Sequence, residues 1–209
     1  MFEPPASRVS PVRLTFLCHA ATAATRRGIF PRDEPLDERG RKSATAARPN
    51  FRRFDAVLTS PALRARQTAE ALGFDGEINP ALRELDYGRW AGMPIGEVAA
   101  CEPVQLAEWR SNPLAAPHGG ESIAALLARV RVFLENRLKL PGTFLAVAHA
   151  TVLRAAATTA LDAPVAAFWQ IDAGPLTSLT LTADGGSWRL RSLINPREGQ
   201  VRQTATRPG

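Results

Sequence analysis

Two short apolar runs, Leu14-Thr15-Phe16-Leu17-Cys18 and Phe144-Leu145-Ala146-Val147-Ala148, each lead into a histidine followed by alanine, His19-Ala20 and His149-Ala150. Runs of this length and composition read as buried strands. A histidine at the end of a buried strand, just ahead of a loop or helix, lies in the crevice where α/β sheets bind ligands. Two of them predict one shared site, in which imidazole acts as a nucleophile, a proton carrier or a phosphate donor. Taken alone, either one reads better as a hydrogen-bonded structural residue. The matching context of the second argues against that.

The rest of the chain fits strands alternating with helices. Arg13–Cys18, Ala56–Thr59 and Thr143–Ala148 read as strands. A helix opens at Asp37, a side chain suited to an N-cap, and runs to Ala47 before Pro49. A second helix is expected from Ser60 (N-cap) and Pro61 (first turn) to Leu72, closed by Gly73. Ile123 to Leu138 is amphipathic, with Ile123, Leu126, Leu127, Val130 and Leu134 on one side. The alanine-rich stretch Val152–Leu161 is a helix behind the last of these strands. Ser178–Thr182 and Trp188–Leu193, joined through Asp184-Gly185-Gly186, read as a hairpin. Residues 74–117 show no clear period. The expected fold is a single-domain three-layer α/β/α sandwich with a mostly parallel sheet. It covers residues 11–194, between a mobile N-terminal arm, 1–10, and a mobile tail, 195–209.

Composition narrows the function classes. The 209 residues can bury a sizeable single core. No apolar stretch approaches the roughly 20 residues of a membrane span, and no signal peptide is visible, so a cytoplasmic protein without a membrane partner is expected. Cys18 and Cys101 give no disulfide framework. The net charge of +6 comes from arginines scattered along the chain. No nucleic-acid motif accompanies them, so nucleic acid is not expected as a partner.

Three further positions carry chemistry. Arg64 stands one turn into the helix of Ser60-Pro61-Ala62-Leu63-Arg64-Ala65-Arg66-Gln67-Thr68-Ala69. A helix start offers free N–H groups to an anion, and a guanidinium adds a bidentate clamp. A surface arginine on an amphipathic helix is an equally good reading. Glu84 lies in Leu82-Arg83-Glu84-Leu85-Asp86-Tyr87-Gly88-Arg89-Trp90-Ala91-Gly92. Beside aromatic rings its carboxyl would be desolvated and suited to acid catalysis; a loop salt bridge with Arg83 or Arg89 is the plainer alternative. His118, before Gly119-Gly120-Glu121-Ser122, is either an exposed loop residue or a contact at the rim of the pocket.

These stretches, in this order, resemble the histidine phosphatase superfamily, in the branch that includes phosphoglycerate mutase and many small phosphatases. The matching segments are Cys18-His19-Ala20-Ala21-Thr22, Pro35-Leu36-Asp37-Glu38-Arg39-Gly40, Ser60 to Ala69, Leu82 to Gly92 and His149-Ala150. The resemblance implies a phosphoglycerate mutase-like fold and hydrolysis of a small phosphomonoester. His19 would take the phosphoryl group as phosphohistidine. Arg64 and His149 would hold the phosphoryl oxygens, and Glu84 would protonate the leaving oxygen and then activate water. Thr22, Arg26, Cys18 and Ala150 fall among the implied phosphate-binding positions. No metal and no cofactor are implied, and the partner is the small phosphorylated substrate. A monomer or homodimer is expected.

The departures from the family pattern are specific. An arginine is expected where Cys18 stands, and loss of one such charge contact costs on the order of 10²–10³ in rate. Arg13, Arg26 and Arg27 are the candidates to replace its charge, the last two preferred. Both histidine-glycine pairs are histidine-alanine, which requires negative φ and adds a methyl near the pocket. Cys18 is not read as a nucleophile, because the residue six positions on is Ala24 rather than arginine. The alternative reading is a histidine-phosphatase-like protein of weak or no catalysis that binds an anionic ligand or a protein partner.

Overall fold

The computed structural model describes residues 11–51, 53–184 and 186–196. The arm 1–10 and most of the expected tail, from residue 197, lie outside the described residues. Asn195, the first tail residue, is bonded through Nδ2 to the Asp172 carboxylate at 2.9 Å.

Among the described residues, six strands form one mixed sheet in the order β3-β2-β4-β1-β5-β6. β1 (Val12–Cys18) lies in the middle. It pairs in parallel with β4 (Gly142–Ala148), which pairs in parallel with β2 (Ala56–Thr59). β5 (Ser178–Ala183) and β6 (Arg189–Ile194) are the expected hairpin, joined antiparallel to the other side of β1. β3 (Glu77–Ile78) is a two-residue edge too short for periodicity to reveal.

Alternation along β1 and β4 divides the core between the two faces. Leu14, Phe16, Cys18, Phe144, Ala146 and Ala148 pack toward α6 (Ile123–Leu138) and α7 (Ala150–Ala160). Leu17, Leu145 and Val147 pack against Ala65 and Ala69 of α3 (Leu63–Ala71) and against Leu72, which caps its end. α2 (Glu38–Ala47) covers the same side, with Ala44 against Ala20 and Leu36. Helices on both faces of a mostly parallel sheet make the expected three-layer α/β/α arrangement.

Several local expectations change. Asp37 does cap α2, accepting from the Gly40 N–H at 2.6 Å. α3, however, begins at Leu63 after an extended Ala62, and Ser60 is not its N-cap. Ser60 still belongs to the sheet edge, its N–H donating to the Val147 carbonyl at 2.9 Å, so the chain turns helical only after Pro61. α7 starts at Ala150, directly after the histidine. The loop after β1 holds a short helix, α1 (Ala23–Arg27). The stretch read as irregular contains α4 (Ile95–Cys101) and α5 (Pro103–Ser111), each holding one fully packed residue, Val98 and Trp109. So narrow a buried face leaves little helical period to read, although Pro103 at a first helical position was a usable signal.

Candidate active site

The C-terminal ends of β1, β4 and β2 lie side by side and release His19, His149 and Ser60. The His19 N–H donates to the Ala148 carbonyl at 2.9 Å, which continues the ladder one residue past β1. The Ala20 N–H donates to the hydroxyl of Thr68 on α3 at 3.0 Å, fixing the backbone after the histidine. Neither Ala20 nor Ala150 has positive φ, so the two histidine-alanine pairs meet the condition set by their extra methyl.

His19 and His149 are both buried, with ring centroids 5.2 Å apart. His19 Nδ1 lies 2.8 Å from the Ala20 carbonyl oxygen. A carbonyl only accepts, so Nδ1 carries the proton and the Nε2 lone pair faces the site. Arg64 Nε donates to that lone pair at 3.1 Å. Burial, followed by the fields of His149 and Arg64, holds the His19 pKa down at about 3, so the ring stays neutral through the physiological range. Burial also depresses His149, against the opposing pull of Glu84. His149 Nε2 pairs with the Ser60 hydroxyl at 2.7 Å, and Nδ1 lies 3.1 Å from Glu84 Oε2.

Arg64 is 1% exposed, which rules out its reading as a surface residue and places it within the buried cluster. Its Nη1 donates to the Arg32 carbonyl at 2.5 Å, and its Nη2 to Glu84 Oε2 at 3.3 Å. Glu84 Oε1 accepts from the Leu85 N–H at 2.9 Å and from the hydroxyl of Thr151. Burial pushes the Glu84 carboxyl up. The combined action of His149, Arg64 and Thr151 outweighs it and holds the group well below the ordinary carboxylate range.

The Glu84 loop is locked from outside. Arg129 on α6 grips Glu121 with Nε and Nη2, at 3.0 and 2.7 Å, and donates to the Ala81 and Arg83 carbonyls. Gly88, at φ +49, lies so close to the His118 carbonyl that a Cβ would overlap it. His118 is neither exposed nor at the pocket rim. It is buried against the rings of Tyr87, Trp90 and Trp109, and its Nδ1 accepts from the Gly120 N–H at 3.0 Å.

The remaining sequence candidates scatter. Thr22 is fully buried: its hydroxyl caps α1 at the Thr25 N–H and donates to Glu34. Arg26 points to Asp37, Nε to Oδ2 at 2.6 Å. Arg13 is six residues before His19, at the opposite end of the strand side from the site. Neither Arg26 nor Arg27 lines the cavity that opens beside Arg64 and Glu84; Arg32 and Arg83 do. Cys18 is buried, and burial, with Glu84 adding, pushes its thiol up to about 12, so it carries no charge. Both cysteines are free. His19, Glu84 and His149 are the one trio among the described residues that is placed to share a cation, their ligating atoms within 4.8 Å. Within that trio the His19 lone pair accepts from Arg64 Nε. Sequence reasoning missed Thr151, Arg32 and the role of Ser60. Thr151, two residues after a strand-end histidine at a helix start, was the most legible of them.

The Thr151 contact has a measurable consequence. A carboxylate held below its unfolded pKa stabilises the fold fully above that pKa, roughly 4.3, and the contribution is lost as pH falls through and below it. Thr151→Val removes one donor to the charged form, an expected loss of about 1.5–3 kcal/mol at neutral pH. In urea unfolding the gap to wild type should be largest above about pH 5 and narrow below about pH 4. A gap independent of pH would mean that the hydroxyl does not act through ionised Glu84.

Comparison with known proteins agrees with this geometry. The family model of the histidine phosphatase superfamily, branch 1, matches residues 14–196, and the chain belongs to that superfamily. It is 32% identical over 197 residues to a bifunctional protein of Mycobacterium tuberculosis, covering 87% of this chain and 53% of that protein. The chain thus spans about half the length of the curated relatives it matches at this level. It is 32% identical over 146 residues to phosphoserine phosphatase 1 of Hydrogenobacter thermophilus, covering 66% of this chain and 69% of the relative. A solved mycobacterial glucosyl-3-phosphoglycerate phosphatase with bound VO3 superposes with a TM-score of 0.77 at 28% identity, covering 88% and 98% of the two chains. Named phosphatases therefore surround this chain in both sequence and structure. No helix among the described residues is long and apolar enough to cross a membrane.

Proposed function

We propose that the chain is a phosphatase that hydrolyses a small phosphomonoester through a phosphohistidine at His19. The observation that carries this reading is the neutral His19 ring, its Nε2 lone pair turned toward the Arg64 guanidinium at the meeting point of three strand ends. Phosphoryl transfer needs a positioned nucleophile and positive charge around the equatorial oxygens. The Nε2–phosphorus bond forms as the phosphorus–oxygen bond to the leaving group breaks. Arg64 and His149 bind the phosphoryl oxygens. A proton from Glu84 goes to the leaving oxygen; water then attacks phosphorus, gives a proton to Glu84 and releases His19.

In the free site Glu84 is ionised by the same two groups that would bind phosphate. An incoming phosphoryl group draws Arg64 and His149 away from the carboxylate and adds negative charge beside it. Both effects raise the Glu84 pKa, so that the carboxylate takes up a proton from solvent as substrate binds and can then give it to the leaving oxygen.

A second reading, an anion-binding protein with little or no catalysis, has one observation in its favour: the uncharged Cys18 thiol where the family pattern has a guanidinium. One experiment separates them. The purified chain is incubated with a phosphomonoester panel and a chromogenic aryl phosphate, and the protein is examined for an acid-labile, alkali-stable phosphoryl adduct. Phosphate release with an adduct on His19 is the expected result. Binding without release from any substrate favours the second reading.

A further inference from the structure

His118 takes no part in the proposed cycle, yet it carries a buried acceptor aimed at the segment that supports it. Its ring is buried among Tyr87, Trp90 and Trp109, with centroids 6.4, 4.9 and 5.9 Å away. Nδ1 accepts from the Gly120 N–H at 3.0 Å, so the proton of the neutral ring is on Nε2. Burial holds the His118 pKa down, with Asp86 opposing and Arg89 adding, and this keeps the Nδ1 lone pair available. Nε2 is buried without a hydrogen-bond partner among the described residues. A polar N–H left there costs stability that a phenylalanine ring would not. What the imidazole adds over a plain ring is the acceptor at Nδ1.

That acceptor leads to Glu84. It fixes the Gly120 peptide, and the next residue, Glu121, holds the Glu84 segment on both sides. Downstream, the Glu121 N–H donates to the Asp86 carbonyl at 2.8 Å. Upstream, the Glu121 carboxylate accepts from Arg129 at 3.0 and 2.7 Å, and Arg129 donates to the Arg83 carbonyl at 3.1 Å. The two stretches lie so close that neither Gly88 nor Gly120 has room for a side chain. A Cβ on the first would overlap the His118 carbonyl, and one on the second the Asp86 carbonyl. The His118 carbonyl also accepts from the Arg89 N–H at 3.0 Å. With no slack between them, a shift at Gly120 passes to the backbone that flanks Glu84.

We propose that His118 is a positioning residue: its Nδ1, acting through Gly120 and Glu121, sets the Glu84 carboxyl against the leaving oxygen. This rests on the phosphatase reading above. A group misplaced by about 1 Å can lose on the order of a hundredfold in rate. The loss falls on esters whose leaving oxygen most needs a proton. An alkyl phosphate depends on that proton. A nitrophenyl phosphate, whose leaving group departs as a stable anion, hardly does.

His118→Phe keeps the ring and removes the acceptor. His118→Asn puts Oδ1 where Nδ1 stood and removes the ring. For each, kcat/KM is measured on an alkyl phosphate and on 4-nitrophenyl phosphate, and the ratio of the two cancels any general loss of activity. In His118→Phe the ratio should fall about tenfold or more, while the protein melts close to wild type. His118→Asn should recover most of the ratio although it melts lower. An unchanged ratio in His118→Phe, or an equal fall in both variants, overturns the proposal. The Glu84 carboxyl carbon resonance, assigned by its absence in Glu84→Gln, is also followed across pH in the free proteins. In His118→Phe its titration should move up by about one pH unit, because the carboxylate no longer sits squarely against His149 and Arg64, and it should return toward wild type in His118→Asn. An unmoved titration overturns the proposal as well. If wild type turns over no phosphoester, the phosphatase reading fails separately, and the titration alone decides whether His118 places Glu84.

Discussion

His19→Ala is expected to abolish phosphate release from every phosphomonoester that the wild-type chain turns over. The loss should be on the order of 10⁴-fold or more, as when the nucleophile of a concerted catalytic group is removed. Neither neighbour takes over the role. His149 Nε2 is paired with the Ser60 hydroxyl, and its Nδ1 lies 3.1 Å from Glu84 Oε2. The Cys18 thiol, at a pKa of about 12, supplies no thiolate. The fold should survive, because the ring contributes its bonds to the Ala20 carbonyl and Arg64 but little of the core. Orphaning Arg64 Nε costs about 1–3 kcal/mol. Phosphate assay and thermal melting together check this. Release that persists in a folded His19→Ala protein sinks the nucleophile assignment.

Arg64→Met is expected to damage rate and stability together. One guanidinium bonds His19 Nε2, the Arg32 carbonyl and Glu84, and it sits among buried groups. Removing a transition-state charge contact of this kind costs on the order of 10²–10³ in kcat. Breaking one side of a buried ion pair costs about 3–5 kcal/mol, because the Glu84 carboxylate stays behind with its charge less compensated. For a domain of this size that corresponds to a Tm lower by about 10 °C. Arg64→Lys keeps the charge but not the three-way fork, and should recover only part of either loss. A variant that melts like wild type would show that Glu84 is not held by Arg64.

The strands and the principal helices were legible because local chemistry specifies them: apolar runs of strand length, Asp37 as a cap, Gly73 as a stop. The four residues proposed to carry the chemistry, His19, Arg64, Glu84 and His149, were also named from their local settings, and they do meet in space. Other positions were misread because their partners lie on other elements, which the local setting of each residue does not reveal. Ser60 looks like a helix cap because Pro61 follows it, yet its hydroxyl goes to His149. Arg26 looked suited to replace a missing charge, but Asp37 lies within its reach. His118 reads as a loop residue until Tyr87, Trp90 and Trp109 close around it.

The family, the sheet-and-helix alternation and the nucleophile candidate followed from the sequence alone, because strand runs, caps and ordered motifs are properties of consecutive residues. Only the tertiary structure decided which His19 nitrogen faces the site, how Glu84 is held ionised, and which arginine shares the cavity. Those outcomes depend on which donors and acceptors are brought within about 3 Å of one another by burial. No spacing along the chain encodes that Gly92 makes room for the Arg32 guanidinium or that Thr151 reaches Glu84.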